Sequence, residues 1–476
     1  MSHAGAIRRF LLHSPVEQQR MTLGPRTTPQ YPIARPLAAA LSVALGLAGA
    51  GIADAGRRPA QVHAVQNCND SGAGSLREAY AAALDGDTVD LSQLACSTIT
   101  LTSGPLVSAP DAGYVTLQGA SDHPVTLDGN HAARVIVHTG SRVALNDVNA
   151  TAGVASDATG GGCIYSSGGV ALLEATVSDC AVSTSGTTPA KGGAIRALDG
   201  VVLRGSRVSG NRAHAAQADA DGGGIHALYV ITAFQNTISG NTASGDGSHY
   251  ARGGGVFASG YLRFDDTTVS GNVADSGAGI HVGYSSQFIS PSLTNVTISG
   301  NRASGAAGGL FAERSIKVYN STITGNTAVF DFGAGIYLAA GSAELHSTIV
   351  AGNSTGDGLN AADVAGHPGA FVDGAHNLIV ASTIPVPVDT LVAEPMLAPL
   401  ADNGGGVQTH ALLPGSPAID AGENPEGVYN DERGYVCPPA GQCQQAERTV
   451  GPATDIGAFE YGAPDHIFGW GFDPET

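Results

Sequence analysis

A five-residue segment recurs five times in the middle of the chain and constrains the fold more than any other feature. Each copy has the form Thr/Arg-Val/Ile-Ser/Thr-Gly-Asn, and a looser sixth copy also ends in asparagine. The final residues of these copies lie 25–31 residues apart and are Asn211, Asn241, Asn272, Asn301, Asn326 and Asn353. A period of this length is typical of repeat folds, in which each unit buries its apolar residues by stacking on its neighbours.

Two more short segments accompany each copy. A glycine-rich segment leads into an aliphatic residue, as in Gly222-Gly-Gly-Ile225, and another apolar residue lies five positions before the Val or Ile of the copy, as Leu203 does before Val208. With 67 glycines and 5% aromatic residues, the chain cannot fill a helical bundle. Three β-rich segments per repeat predict an all-β, right-handed parallel β-helix over residues 95–385. We expect the asparagines to form a structural ladder, and the glycines to occupy turns with positive φ.

The N-terminal 55 residues have the pattern of a secretory signal peptide. Arg26 and Arg35 precede an apolar run from Leu37 to Ile52, and Ala53-Asp-Ala55 offers a cleavage site between small residues. An uncleaved N-terminal anchor is the alternative, and Met21 is a second possible start. Later segments are not apolar enough to span a bilayer.

The remaining chain is strongly acidic. Residues 1–55 contain five of the 22 basic and two of the 41 acidic residues, which leaves 17 against 39 and a formal charge of −22. Such a surface repels nucleic acid and anionic lipid. We therefore expect neither as a partner, and we expect a monomer without a cofactor, apart from loosely bound Ca²⁺.

Six cysteines in an exported chain indicate disulfides. Their order favours the short loops Cys68–Cys96, Cys163–Cys180 and Cys437–Cys443, among 15 possible connectivities.

Both ends of the repeat region need to be covered, because an open β-helix exposes its core and strand edges. In residues 56–94, Ser75-Leu-Arg-Glu78 has the spacing of a capping box and predicts a short helix that continues to Leu84. Residues 395–462 contain a series of Gly-, Pro- and Asp-rich motifs, among them Leu413-Pro-Gly-Ser-Pro-Ala-Ile-Asp-Ala-Gly422, Asp431-Glu-Arg-Gly434 and Asp455-Ile-Gly-Ala-Phe-Glu460. We expect this module to form a C-terminal cap, followed by a tail at residues 463–476.

The repeats resemble those of polymorphic outer-membrane-protein-type and pectate-lyase-like β-helix proteins. The segment Asn69 to Arg77 resembles the opening module named for Cys-Ser-Leu-Arg-Glu-Ala, with Gly74 in place of its cysteine. Residues 395–462 resemble the choice-of-anchor Q module of surface β-helix proteins. These resemblances imply export and surface association rather than a particular chemistry.

The C-terminal motifs contain five charged residues that could form an acid–base site: Asp420, Asp431, Arg433, Asp455 and Glu460. We expect instead that one or more of the carboxylates hold Arg433 and lock the cap, because a buried guanidinium needs paired acceptors. A Ca²⁺ site is the alternative.

Other candidates for catalysis are weak. Asp265 and Asp266 are adjacent, so on a strand they point to opposite faces. Arg314 and Lys317 open a strand that carries Ile316 and Val318. Acidic turns at Asp219 to Gly222 and Asp246 to His249 are short fragments of the kind found in solvated loops.

The residue after each glycine-rich segment forms a more informative pattern. If the aliphatic residue points inward, its successor points outward, and successive rungs about 4.8 Å apart would align these residues in one stripe. The stripe comprises Tyr165, Arg196, His226, Phe257, His281, Phe311 and Tyr337. An exposed stripe of this composition suits glycan binding, and the alternative is that stacked rings only stabilise the sheet.

These features favour a secreted or surface-associated, non-catalytic β-helix protein, adhesin-like or glycan-binding, whose partner is an extracellular or cell-surface polysaccharide. Two alternatives stay open: a polysaccharide lyase or glycoside hydrolase on the same fold, and a structural spacer in the cell envelope.

Overall fold

The structure is a computed structural model that describes residues 58–285, 289–329, 333–355, 362–436 and 444–463. Within these ranges the chain is an all-β parallel β-helix with one short α-helix, Leu76–Ala82. Strands of successive rungs pair in parallel, in register over most of their length, through three sheets, which confirms the predicted fold class. The right-handed sense of the coil stays a prediction.

The strands fall into three parallel sheets, here called A, B and C, and one hairpin-like pair. Sheet A comprises Val62–Ala64, Thr88–Asp90, Thr98–Thr100, Tyr114–Gln118, Val125–Asp128, Arg142–Asn146, Val148–Thr151, Gly169–Leu173, Thr176–Ser178, Gly200–Arg204, Arg207–Ser209, Val230–Phe234, Thr237–Ser239, Tyr261–Ser270, Ser292–Ser299, Ile316–Tyr319, Thr322–Thr324, Ala343–His346, Ile349–Ala351, Val372–Ala375 and Leu378–Ile379. Sheet B comprises Leu106–Val107, Ile136–His138, Ile164–Ser166, Ile195–Ala197, Ile225–Ala227, Val256–Ala258, Ile280–Val282, Leu310–Ala312, Ile336–Leu338 and Val364–Gly366. Sheet C comprises Val154–Ala155, Ala181–Thr184, Ala190–Lys191, Arg212–Ala215, Ala220–Asp221, Thr242–Ser244, Ala251–Arg252, Val273–Ser276, Arg302–Ala306, Thr327–Ala328 and Ser354–Thr355. An antiparallel pair, Asn430–Val436 with Gln444–Glu447, lies outside the solenoid.

The large aliphatic residues that the repeat pattern placed inward form the core. Ile195, Leu203 and Val208 of one rung are at most 1% exposed, and their counterparts on neighbouring rungs stack on them. Most rungs contribute two short segments to sheet A, separated by a bend in which one residue, such as Gly205 or Gln235, has positive φ, whereas Tyr261–Ser270 and Ser292–Ser299 are continuous strands.

Sheet C supplies a further segment per rung that the sequence pattern did not reveal. Its inward-facing positions are mainly alanines, which form a second buried cluster that includes Ala213, Ala243, Ala274, Ala303 and Ala328. Because alanine gives little hydrophobic periodicity, these strands carry no aliphatic signal in the sequence.

The repeated asparagines lie in one column where sheet A turns into sheet C. The Nδ2 and backbone N–H groups of Asn241 both donate to Oδ1 of Asn272, each at 2.9 Å, and Nδ2 also donates to the Val208 carbonyl. The same pattern runs from Asn211 to Asn353, where Oδ1 of Asp363 is the last acceptor. The ladder therefore links successive rungs through buried amides.

The N-terminal helix and two disulfides complete the first rungs. Ser75 is the N-cap, and its Oγ accepts from the Glu78 amide, while the Glu78 carboxylate reaches back to the Gly74 amide rather than to that of the cap residue. The predicted disulfides Cys68–Cys96 and Cys163–Cys180 are confirmed. The third expected pair, Cys437 and Cys443, lies outside the described residues, as do the signal peptide at 1–55 and residues 464–476 of the tail.

Residues 395–462, here called the C-terminal module, lie along the flank of sheet A. Thr268 Oγ1 donates to the Gln408 carbonyl at 2.6 Å, and the Ala458 amide donates to Thr322 Oγ1 at 3.0 Å. The module therefore covers the side of several rungs, whereas the sequence led us to expect a cap over the open end. Parallel bridges from Ser382 and Leu391 extend the stack beyond the last strands instead.

Candidate functional site

The seven residues of the predicted stripe lie directly opposite one another on successive strands of sheet B. Their Cα positions pair in the order Tyr165, Arg196, His226, Phe257, His281, Phe311 and Tyr337. From His226 to Phe311 the rings stack nearly in parallel, with centroids 4.6–5.3 Å apart, and Tyr337 continues the column at a tilt. The register thus produces one uninterrupted stack of five rings.

Solvent exposure of this stripe differs from the expectation. His226 and His281 are 1% exposed and Phe257 is 8% exposed, so the middle of the stripe is buried. The Arg252 guanidinium of sheet C covers Phe257, 5.1 Å from the ring centroid. Phe311 and Tyr337, like Tyr165 and Arg196, are only partly buried. The expectation of an exposed aromatic stripe was therefore wrong for its middle part, where the Arg252 side chain from sheet C covers the Phe257 ring.

Those side chains form a charged column along the edge of sheet C. Lys191, Asp221, Arg252 and Ser276 occupy paired positions on successive strands. Arg252 Nε donates to Asp221 at 2.8 Å, and its Nη2 donates to Asp219 and Asp221 at 3.0 and 3.1 Å. Burial raises the pKa of Asp221, although the arginine opposes that shift. Burial, reinforced by the charge of Arg196, lowers the pKa of Lys191.

His281 connects the two columns. Its Nδ1 lies 3.2 Å from Ser276 Oγ, and its Nε2 lies 3.1 Å from Glu313 Oε1. Burial lowers the pKa of His281, which favours the neutral ring over the imidazolium. The hydrogen bond with His281 lowers the pKa of Glu313, which is therefore an ionised acceptor. The neutral tautomer with its proton on Nε2 satisfies both contacts, because Nε2 then donates to Glu313 and Nδ1 accepts from the Ser276 hydroxyl.

These groups face a cleft of about 730 Å³, here called the central cleft. It is lined by Gly247, Ser248, His249, Tyr250, Arg252, Asp275, Ser276, His281, Ser304, Gly305, Ala306, Phe311 and Glu313. Tyr250 on its rim is 69% exposed. Tyr284, whose amide donates to Glu313 Oε2 at 2.9 Å, is 75% exposed. The cleft therefore combines two rings of the stack, His281 and Phe311, with polar side chains and the exposed Tyr250, and the backbone of the exposed Tyr284 contacts its lining through Glu313.

The predicted cap network is a separate structural unit within the C-terminal module. Arg433 and Asp431 are fully buried, and the guanidinium donates to both Asp431 oxygens from Nε and to Oδ2 from Nη2. Arg433 Nη2 also donates to the Glu460 carbonyl, and its guanidinium lies 3.9 Å from the Phe459 ring centroid.

The carboxylates of the other predicted members accept hydrogen bonds from backbone N–H groups. Asp455 Oδ1 accepts from the Asp420 amide at 2.7 Å, and the Glu460 carboxylate accepts from the Val450 and Asp455 amides. A second buried arginine, Arg448, which the motifs did not single out, donates to the Asp455 and Gly457 carbonyls. These contacts hold three loops of the module together.

Two other types of site are absent from the described residues. No group of three or more His, Cys, Asp and Glu side chains there is arranged to hold a metal ion. Within the same residues, no helix has the length and apolar character needed to cross a bilayer.

Comparisons with known proteins matched the chain to a solved structure. No family model matches the chain, and no curated protein matches it. Among solved structures, the crystal structure of pectate lyase Pel9A matches with a TM-score of 0.47 and 14% sequence identity, over 85% of this chain and 97% of that chain.

Proposed function

We propose that the protein binds a neutral polysaccharide in the central cleft, outside the cytoplasm, without cleaving the sugar backbone. The observation that carries this proposal is a mainly apolar cleft that contains two stacked rings and the exposed Tyr250, with the exposed Tyr284 joined to its lining residue Glu313 through a backbone hydrogen bond. Sugar rings stack on aromatic faces, and an exposed apolar surface rimmed by polar groups is typical of a ligand site.

The charges of the cleft favour a neutral glycan over a polyuronate. One arginine, Arg252, faces the carboxylates of Asp275 and Glu313 in the lining. The Arg252 guanidinium is already engaged by Asp219 and Asp221. An acidic polymer would place one carboxylate per sugar beside these acidic side chains. The net charge of the chain, −19, would also repel such a polymer.

The two disulfides support export, because such bonds persist in oxidising compartments. This agrees with the signal-peptide pattern at residues 1–55.

Binding to a panel of soluble neutral and acidic polysaccharides tests the proposal. Affinity electrophoresis of the chain from Gly56 should show retardation by a neutral polymer and little by a polyuronate. The double variant Tyr250→Ala, Tyr284→Ala should weaken retention at least about 10-fold, a loss of about 1.4 kcal/mol. Tyr229→Ala is the matched control, since Tyr229 is also exposed but lies on a turn between sheets B and A.

Three outcomes would contradict the proposal. Binding that survives in the double variant would place the ligand elsewhere. If chromatography detects released oligosaccharides, the lyase or glycoside hydrolase alternative would be favoured. Absence of retention by every polymer would favour the envelope spacer.

A further inference from the structure

We propose that Ser276, His281 and Glu313 form a hydrolytic triad that removes ester-linked acyl groups from the glycan bound in the central cleft. This inference rests on the proposed function, which supplies the class of substrate. The three side chains form a continuous chain of hydrogen bonds, Ser276 Oγ to His281 Nδ1 at 3.2 Å and His281 Nε2 to Glu313 Oε1 at 3.1 Å. A nucleophile, a base and a carboxylate that orients the base are the parts that acyl transfer requires.

The backbone fixes all three members. Ser276 ends the sheet C strand Val273–Ser276, while His281 and Glu313 lie on and just after consecutive strands of sheet B. Glu313 is held a second time, because its Oε2 accepts from the Tyr284 amide. The imidazole is clamped between the rings of Phe257 and Phe311. Such support from neighbouring groups is what keeps a catalytic arrangement in place.

Ser276 also interrupts the regular ladder. The pairing between Val273–Ser276 and the next strand shifts register between Ala274 and Ser276. Bulges of this kind re-aim a side chain and occur often beside active sites. The preceding rungs carry Lys191, Asp221 and Arg252 at this position of the column, so the hydroxyl is specific to this rung.

The reaction follows from these contacts. Ser276 Oγ attacks the ester carbonyl carbon as its proton passes to His281 Nδ1, and Glu313 stabilises the resulting imidazolium through the Nε2 proton. The bond between the carbonyl carbon and the sugar oxygen then breaks, and that oxygen takes the proton from His281. Water attacks the acyl-serine with the same proton transfers, which releases a carboxylic acid and restores Ser276.

Arg252 is positioned to stabilise the negative charge on the former carbonyl oxygen. It lies directly opposite Ser276 in the ladder, and among the described residues its Nη1 takes part in none of the hydrogen bonds to Asp219 and Asp221. Electrostatic stabilisation of this kind is usually a large part of catalysis.

Hydrolysis of p-nitrophenyl acetate and of a chemically acetylated neutral polysaccharide tests the inference, with acetate release as the readout. We expect the full chain to hydrolyse both and Ser276→Ala to lose at least about 100-fold in kcat/KM. Glu313→Gln should lower kcat more than it raises KM. The matched control is Ser244→Ala, because Ser244 Oγ lies 3.1 Å from His214 Nδ1 in a similar pair outside the cleft.

Labelling of the wild-type chain with a serine-directed fluorophosphonate gives a second measurement that does not depend on how the variants fold. Mass spectrometry should find the label on Ser276. Hydrolysis that persists in Ser276→Ala, or a wild-type chain that binds the polysaccharide but neither releases acetate nor takes the label, would overturn the inference and leave the proposed function standing. Ser276-dependent hydrolysis of p-nitrophenyl acetate without retention by any polysaccharide would count against the proposed function alone.

Discussion

Asp266 is a buried carboxyl at the boundary between sheet A and the C-terminal module. The side-chain Nδ2 groups of Asn295 and Asn430 donate to its two carboxyl oxygens at 2.9 and 3.2 Å, respectively. Burial nevertheless raises the pKa of Asp266 to about 8, and the charges of Asp265 and Asp431 act in the same direction. The folded chain therefore holds a proton there that the unfolded chain has lost at neutral pH.

This proton makes stability depend on pH. Below the ordinary pKa of an aspartate both states are protonated, and from there to about pH 8 the folded state alone retains the proton. The free energy of unfolding must therefore fall as pH rises through this window, by up to about 1.4 kcal/mol per pH unit from this residue. We expect Asp266→Asn, an exchange that the positive φ of this position tolerates, to reduce the loss of thermal stability between pH 5 and pH 8.

Thermal unfolding followed by circular dichroism at pH 5, 6, 7 and 8 provides the comparison. Asp122→Asn is the control, since the Asp122 side chain is 83% exposed, and it should leave the pH dependence unchanged. An equally steep loss in Asp266→Asn would show that other buried carboxyls, such as Glu432, account for the effect.

The asparagine ladder acts at the scale of the rung. Asn272 accepts two hydrogen bonds from Asn241 and donates from Nδ2 to the Ile238 carbonyl and to Asn301. All of these groups are buried, so none can form a replacement hydrogen bond with water when its partner is removed.

Replacing Asn272 with alanine should therefore destabilise the neighbouring rungs as well as its own. Two donors of Asn241 and the Ile238 carbonyl lose their partners, and each unsatisfied buried group costs about 1–3 kcal/mol. We expect the free energy of unfolding in urea to fall by about 3 kcal/mol or more, and amide exchange to accelerate at Asn241. Thr242→Ala, one residue from the ladder, should change the free energy by less than about 0.5 kcal/mol. Equal effects of the two variants would contradict the structural role of the amide.

The sequence was sufficient to predict those elements that large aliphatic residues, glycines and asparagines mark at a fixed period. It predicted the core residues of sheets A and B, the helix that begins at Leu76 and the alignment of the stripe. It did not predict the strands of sheet C. Their buried residues, such as Ala213 and Ala243, are too small and too weakly hydrophobic to give a periodic hydrophobic pattern along the sequence. Nor did it predict the burial of Phe257 or the contact of Ser276 with His281, because both depend on how two sheets meet across turns of varying length.

At the scale of the whole molecule, one position shows how the C-terminal module is held against the solenoid. On the outward face of sheet A, Thr268, Thr297 and Thr322 pair with one another on successive rungs. Ile349 occupies the same position on the next rung. Ile349 is fully buried, and it belongs to an apolar cluster with Leu412, Ile456 and Phe459 of the module. The contact with the C-terminal module explains why the outer face of this rung carries the aliphatic Ile349.

Ile349→Thr restores the residue type of the preceding rungs and should loosen the module while the inward-facing core stays intact. The loss of apolar contact in a packed site costs about 2 kcal/mol, so residues 395–462 should open more often. We expect thermolysin to cleave this segment several-fold faster than in the wild type, with the cleavage sites identified by mass spectrometry. Val202→Thr is the matched control, because Val202 also faces outward on sheet A but is 37% exposed. Cleavage of the module at the wild-type rate in Ile349→Thr would mean that its polar contacts to Thr268, Thr297 and Thr322 suffice to hold it.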